Sequence, residues 1–121
     1  MSSAMSEQLA VLKLVAERLH RAGIAYMISG SIAMNYYAQP RLTRDIDIVV
    51  ALRLDDAERV TTLFVVDFYI DADAVRNAIA QLGMFNIIHY AHVMKVDFIV
   101  RKDTPYRQEE FARRSAVDMM A

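Results

Sequence analysis

The chain has 121 residues, of which 55% are hydrophobic, and 14 basic against 15 acidic residues give a formal net charge of -1. It contains no run of about 18 uninterrupted apolar residues, so no membrane-spanning helix is predicted, and near neutrality leaves no global positive field for binding nucleic acid. The absence of cysteine excludes a disulfide framework, a thiol nucleophile and a thiolate metal site.

The first third of the sequence predicts a helix, a strand and a second helix. Apolar residues recur at helical spacing from Ser6 to Ala22, and a glycine follows where this helix would end. The short apolar run from Ile24 to Ser29 predicts a strand. Gly30-Ser31 then forms a tight turn that opens a second helix, Ile32 to Ala38.

The middle of the chain alternates strands with helices. Strict alternation of polar and apolar residues from Asp45 to Val50 predicts a strand. Asp55-Asp56 can cap a helix that runs to about Phe64, and the apolar run from Val65 to Ile70 predicts another strand. A further helix is expected from Asp71 to Leu82, ended by Gly83.

The last third predicts a β-hairpin and a final helix. Two apolar runs, Phe85 to Tyr90 and Val93 to Val100, are separated by Ala91-His92. This turn lacks the usual Asn-Gly chemistry, so the strand register stays open. Thr104-Pro105 then begins the final helix, because a proline fits well in the first helical turn.

Together these elements predict an α/β (α+β) fold. We expect a small mixed sheet, with a hairpin in the C-terminal half, flanked by about five helices. The hairpin argues against a purely parallel, doubly wound sheet. We expect one domain over residues 1–121, with a fragment that lacks a C-terminal helical region as the alternative.

Three aspartates lie on apolar strands. Period-two alternation puts Asp45 and Asp47 on one face of their strand, and it puts Asp97 with Lys95 on one face of another. Aspartate is rare in strands, and neighbouring carboxylates repel unless a cation compensates, so a divalent metal site explains the pattern economically. The alternatives are a solvated sheet face and ordinary salt bridges, from Lys95 to Asp97 and from Arg44 to Asp47.

The turn at Gly30-Ser31 and two histidines are the other candidate groups. Backbone N–H groups and the Ser31 hydroxyl would converge at a helix N-terminus, where a phosphate can bind. Gly-Ser is also a common start of any helix, so the turn alone is a weak signal. For His89 and His92, beside the hairpin turn, structural or solvent-exposed roles are favoured over zinc binding, since no third ligand matches.

The stretch from Ser29 to Val50, SGSIAMNYYAQPRLTRDIDIVV, resembles the signature of the nucleotidyltransferase superfamily, which has the fold of DNA polymerase beta. In that family a Gly-Ser or Gly-Gly turn precedes an Asp-x-Asp strand, and a third carboxylate follows on a later strand. The residues that match, in the same order, are Gly30-Ser31, Asp45, Asp47 and Asp97. The spacing Arg41-x-Thr43-x-Asp45 resembles the branch of minimal, abortive-infection and toxin–antitoxin nucleotidyltransferases.

The resemblance implies an enzyme that transfers a nucleoside monophosphate from a nucleoside triphosphate to a hydroxyl acceptor. The acceptor would be tRNA, another RNA or a protein, and a toxin–antitoxin system would add a partner protein. Two Mg²⁺ ions, or Mn²⁺ in their place, would be held by Asp45, Asp47 and Asp97, and Asp97 would also accept the proton of the acceptor hydroxyl. The implied nucleotide-binding residues are Gly30, Ser31, Arg41 and Arg44.

Two other functions fit the same residues. A non-catalytic interaction or antitoxin module could keep the fold, although three intact aspartates argue against it. A metal-dependent phosphodiesterase would use the same carboxylates for hydrolysis. The base, the acceptor and the oligomeric state stay open. The N-terminal segment lacks a secretory-signal pattern, so we expect a cytoplasmic protein that does not bind membranes.

Overall fold

The structure, a computed structural model, describes residues 3–28 and 45–102. The expected second helix and the expected final helix lie outside these residues. A short 3-10 turn at Leu54–Asp56 precedes the second of the helices that are described. The described helices and strands, in chain order, are α1 (Ser3–Arg21), β1 (Tyr26–Ile28), β2 (Asp45–Val50), α2 (Ala57–Phe64), β3 (Phe68–Tyr69), α3 (Ala72–Gln81), β4 (Met84–His89) and β5 (Met94–Val100).

The five described strands form one mixed sheet in the order β1-β2-β5-β4-β3. β2 and β5 are parallel, whereas β1 pairs with β2, β4 with β5, and β3 with β4 in the antiparallel direction. The expected mixed α+β architecture with a hairpin in the C-terminal half is therefore confirmed. Apolar residues on one face of the sheet join the buried sides of the three helices in a single core. Its largest fully buried side chains are Tyr26, Phe64, Phe68, Phe98, Leu19, Ile46, Ile48, Ile87 and Met94.

The end of α1 follows the expectation from the sequence. Gly23 has a φ of +72°, a backbone conformation that favours glycine, and its N–H donates to the His20 carbonyl at 3.0 Å. The N–H of Ile24 donates to the Leu19 carbonyl at 2.9 Å, so both residues belong to the helix cap. β1 consequently begins at Tyr26, two residues later than expected.

The strand expected over Val65 to Ile70 is wrong except at Phe68–Tyr69. Val65 keeps helical torsions and donates its N–H to the Thr61 carbonyl at 3.0 Å, so the chain leaves α2 through a turn. Val66 in this turn is 88% exposed. An apolar run alone cannot distinguish an exposed turn from a buried strand, and here the backbone hydrogen bond of the helix end decides.

Both ends of α3 show how a helix is capped. Asp71 accepts hydrogen bonds from the N–H groups of Asp73 and Ala74 at 3.0 and 3.5 Å. At the other end the left-handed residue is Leu82, with a φ of 52°, and not Gly83 as the sequence suggested. Leu82 packs against the core, and this contact accompanies its unfavourable backbone conformation.

The hairpin of β4 and β5 is confirmed, with a longer turn than expected. His89 pairs with Met94, which leaves the four turn residues 90–93. Val93 has a φ of 51° and donates its N–H to the His89 carbonyl at 2.8 Å. A β-branched residue rarely adopts this conformation, so the turn is strained where hairpins ordinarily place glycine or asparagine.

Arg18 on α1 joins the helix to the turn between α2 and β3. Its guanidinium donates to both carboxylate oxygens of Asp67 at 2.8 and 2.6 Å and to the Leu63 carbonyl at 3.0 Å. The same group lies 5.7 and 5.6 Å from the ring centroids of Phe64 and Phe68. The hydrogen bonds hold the pKa of Asp67 below its ordinary value and that of Arg18 above. A half-buried ion pair of this kind stabilises the fold at neutral pH.

We expect Asp67→Asn to lower the free energy of unfolding at neutral pH by about 1 kcal/mol, because a charge-assisted pair becomes an ordinary hydrogen bond. Since folding lowers the pKa of Asp67, the stabilisation by the wild-type carboxylate is present above its unfolded pKa and is lost as the pH falls through the folded pKa. Urea unfolding at a series of acid pH values should therefore show a shallower loss of stability in the variant. Asp55→Asn, at an 81% exposed side chain, is the control. Equal acid dependence in Asp67→Asn and wild type would contradict this assignment.

The two described glycines at helix ends should respond oppositely to alanine. A Cβ at either position would meet nothing within 4 Å, so backbone conformation alone decides. Gly23→Ala should destabilise the protein by about 1 kcal/mol because of its positive φ. Gly83 does not have a left-handed φ. Gly83→Ala should therefore raise the free energy of unfolding by about 0.4 to 1 kcal/mol, because alanine lowers the conformational entropy of the unfolded chain. Thermal unfolding compares them, and effects of the same sign would contradict the assigned helix ends.

Candidate active site

The carboxylates of the two central strands meet through the register of the sheet. In the parallel pair of β2 and β5, Asp47 is the partner of Asp97. Ile46 and Ile48 on one side of β2, and Val96 and Phe98 on β5, are fully buried in the core. Because side chains alternate along each strand, both aspartates lie on the sheet face opposite the core. Asp47 and Asp97 therefore share one face of the sheet.

Asp97 is an unusually enclosed carboxylate. It is 8% exposed, whereas Asp47 is half-buried. The ammonium nitrogen of Lys95 lies 3.8 Å from Oδ1 of Asp97, on the same face of β5. This contact is the ion pair that the sequence allowed, and 41% of the Lys95 side chain remains exposed. A solvent-accessible ion pair at this distance contributes little to the stability of the fold.

The sheet adds one residue that the sequence analysis missed. Asn86 on β4 is the register partner of Asp97 on the side away from Asp47. Asp47, Asp97 and Asn86 thus form a line across three neighbouring strands, which we call the polar row. The Asn86 side chain is exposed. The alternation of β4, with Phe85, Ile87 and His89 buried, contains the signal, but the hairpin register was needed to place Asn86 beside Asp97.

The other predicted site residues are described only in part. β2 begins at Asp45, whose register partner is Lys95, but the Asp45 side chain lies outside the described part of the structure. The predicted nucleotide-binding residues also lie outside it. These are Gly30, Ser31, Arg41 and Arg44.

The donor set of the polar row suits a hard divalent cation. Neighbouring strands are about 4.8 Å apart, so two adjacent carboxylates can share an ion, and Mg²⁺ prefers oxygen ligands. Asp45 is the candidate for a third carboxylate, and it lies on β2, the same strand as Asp47. Within the described side chains, among which Asp45 is not counted, no group of three His, Asp or Glu residues is arranged around a common point. Among the described residues, Asp47 and Asp97 are two carboxylates that a divalent cation could share across neighbouring strands.

Comparisons with known proteins add no identification. No protein-family model matches the chain, and no curated protein matches it significantly. Each described helix is too short or too polar to serve as a membrane span. The features of the chain that bear on its function are the polar row and the sequence motif that resembles nucleotidyltransferases.

From the polar row we predict that the protein binds Mg²⁺ or Mn²⁺ in the absence of nucleotide. Asp47→Asn should weaken the affinity by at least about tenfold, since a ligand is lost and even outer-shell partners of metal ligands have effects of this size. Isothermal titration calorimetry measures this directly. Asp73→Asn, at an 80% exposed side chain on α3, is the matched control and should bind like the wild type. Equal affinity in wild type and Asp47→Asn would remove Asp47 from the site.

Proposed function

We propose that the chain is a metal-dependent nucleotidyltransferase with a nucleotidyltransferase-like fold, similar to the minimal and toxin–antitoxin branch. The register of Asp47 beside Asp97 carries the proposal. In the motif that the sequence resembles, these two residues come from separate strands and act at one centre. The proposed reaction moves a nucleoside monophosphate from a nucleoside triphosphate to a hydroxyl of tRNA, another RNA or a protein.

The aspartates would have different roles. Asp45 and Asp47 would hold the cations that accompany the triphosphate, with Asp97 as a further ligand. Bound Mg²⁺ supplies charge stabilisation for an in-line displacement at phosphorus. Asp97 would accept the proton of the attacking hydroxyl. Enclosure of Asp97 in the sheet supports this role, because a base acts best when its position is fixed by its surroundings.

The nucleotide would be bound on the β2 side of the polar row. We assign the triphosphate to the backbone N–H groups and hydroxyl of Gly30-Ser31, because the sequence predicts that a helix begins there and a helix N-terminus favours an anion. Arg41 and Arg44 would offset the charge that develops on the leaving pyrophosphate. The acceptor would then approach Asp97 from the β4 side, where Asn86 lies.

One experiment separates the candidate functions. The full chain is incubated with labelled nucleoside triphosphates, Mg²⁺, and either a tRNA pool or a protein mixture. Transfer labels an acceptor, and a phosphodiesterase or hydrolase instead releases free nucleotide. A non-catalytic interaction or antitoxin module gives neither product. Labelled acceptor supports the proposal, and the other two outcomes overturn it.

Asp97→Asn should reduce transfer by about 10²- to 10⁴-fold while leaving measurable binding of Mg²⁺ and nucleoside triphosphate, because a proton acceptor is lost but the other ligands remain. Asp47→Asn should weaken both binding and transfer. The rates come from single-turnover labelling and the affinities from calorimetry. Asp73→Asn is again the control. Wild-type turnover in Asp97→Asn would show that Asp97 is not the base.

A further inference from the structure

The turn between β4 and β5 is held by two histidines. The backbone N–H of His92 donates to Nδ1 of His89 at 3.2 Å, and the two imidazole rings stack with centroids 5.0 Å apart and planes 22° from parallel. This hydrogen bond requires an Nδ1 without a proton, so it fits a neutral His89 that carries its proton on Nε2 and does not fit a doubly protonated ring. This contact spans the same turn in which Val93 has its strained backbone.

The second histidine extends the contact to α1. Nδ1 of His92 lies 3.5 Å from Oε1 of Glu7, near the start of that helix. Glu7 and His92 are distant in sequence, so this contact ties the beginning of α1 to the hairpin turn. We call Glu7, His92 and His89 the histidine clasp.

His89 lies among charged groups from several elements. It is 8% exposed and packs edge-to-face on Phe68 of β3, with ring centroids 4.8 Å apart. Burial lowers the pKa of His89, and charges on His92 and on Arg18 of α1 act in the same direction. Asp67, in the turn before β3, opposes them. The ion pair of Asp67 with Arg18 limits this opposition, because the carboxylate is already engaged.

Charge on the two rings has opposite consequences for the clasp. A proton on His92 strengthens its attraction to the Glu7 carboxylate. A proton on Nδ1 of His89 instead sets two donors against each other and breaks the bond from the His92 N–H. Two charged rings stacked at 5.0 Å also repel. The clasp can therefore hold one positive charge but not two.

We propose that the histidine clasp is a pH-sensitive contact, which holds the β4–β5 turn beside the start of α1 and releases the turn when His89 takes up a proton. The strained Val93 favours release, because the freed turn can relax its left-handed backbone. The inference is independent of the proposed enzymatic activity, since none of the three clasp residues belongs to the polar row.

The direction of the pH dependence follows from the burial of His89. Folding lowers the pKa of His89. The contacts of its neutral ring therefore stabilise the folded state at pH values above about 6.5, the pKa of this histidine in the unfolded chain. This stabilisation decreases as the pH falls below that value and is lost below the folded pKa. Acidification should thus open the clasp while the remainder of the sheet stays closed.

Amide hydrogen exchange of the full chain, corrected for intrinsic rates, tests local release. Between about pH 7.5 and about pH 5 the protection of the His92 and Val93 amides should fall by about fivefold, the effect of losing one ordinary hydrogen bond. His89→Gln retains an acceptor oxygen but cannot titrate, so its protection should stay constant. His20→Gln, an exposed histidine on α1, is the matched control and should behave like the wild type. An unchanged acid response in His89→Gln, or an equal loss over the whole sheet, would overturn the proposal.

A second measurement tests the proposal without the His89→Gln variant, in case that variant does not fold. The ring-proton NMR titration of His89 reports its protonation in the wild type and in His92→Gln. Removal of the neighbouring ring should move the His89 midpoint to higher pH, because the repulsive charge is gone. A midpoint that is unchanged or lower in His92→Gln would show that the two rings are not coupled, and it would overturn the clasp.

Discussion

The parallel pairing of β2 with β5 is the constraint on which the rest of the structure depends. In this register Ile46 and Ile48 enter the core together with Val96 and Phe98, and the alternating positions pass to the opposite face. A slip of one residue would exchange the two faces of a strand, burying carboxylates and exposing isoleucines. The apolar core therefore fixes the position of the polar row, although none of the polar-row residues contributes apolar packing.

The attachment of α1 is the second organising feature. Arg18 ties the helix to the turn before β3 through Asp67, and the histidine clasp ties its beginning to the β4–β5 turn. The two turns are themselves joined, because the N–H of Tyr90 donates to the Asp67 carbonyl at 3.1 Å. These polar contacts fix the position of α1 along the sheet. The apolar side of the helix adds hydrophobic stabilisation, which does not depend on direction.

The sequence could predict those parts of the fold in which local chemistry and tertiary packing agree. The alternation from Asp45 to Val50 is unambiguous, and the strand has these bounds in the structure. The apolar run from Val65 to Ile70 predicted a strand, but Val65 and Val66 are exposed and lie in the turn that follows α2. The left-handed position after α3 falls on Leu82, which packs against the core, and not on the adjacent Gly83. Asn86 could not be placed beside Asp97 without the hairpin register, which no local turn signal specifies.

The separation of β2 and β5 along the chain also affects how the protein acquires its polar row. Asn86 and Asp97 come together when a local hairpin closes, an event of microseconds in isolated hairpins. Asp47 joins only after the long intervening segment has been ordered, and such non-local pairing is slow because its loop-closure entropy is lost before its contacts form. The hairpin can therefore form before the two carboxylates are brought together. A cation that needs both aspartates would bind the native chain and not the unfolded one, and it would stabilise the folded state by an amount that depends on its free concentration.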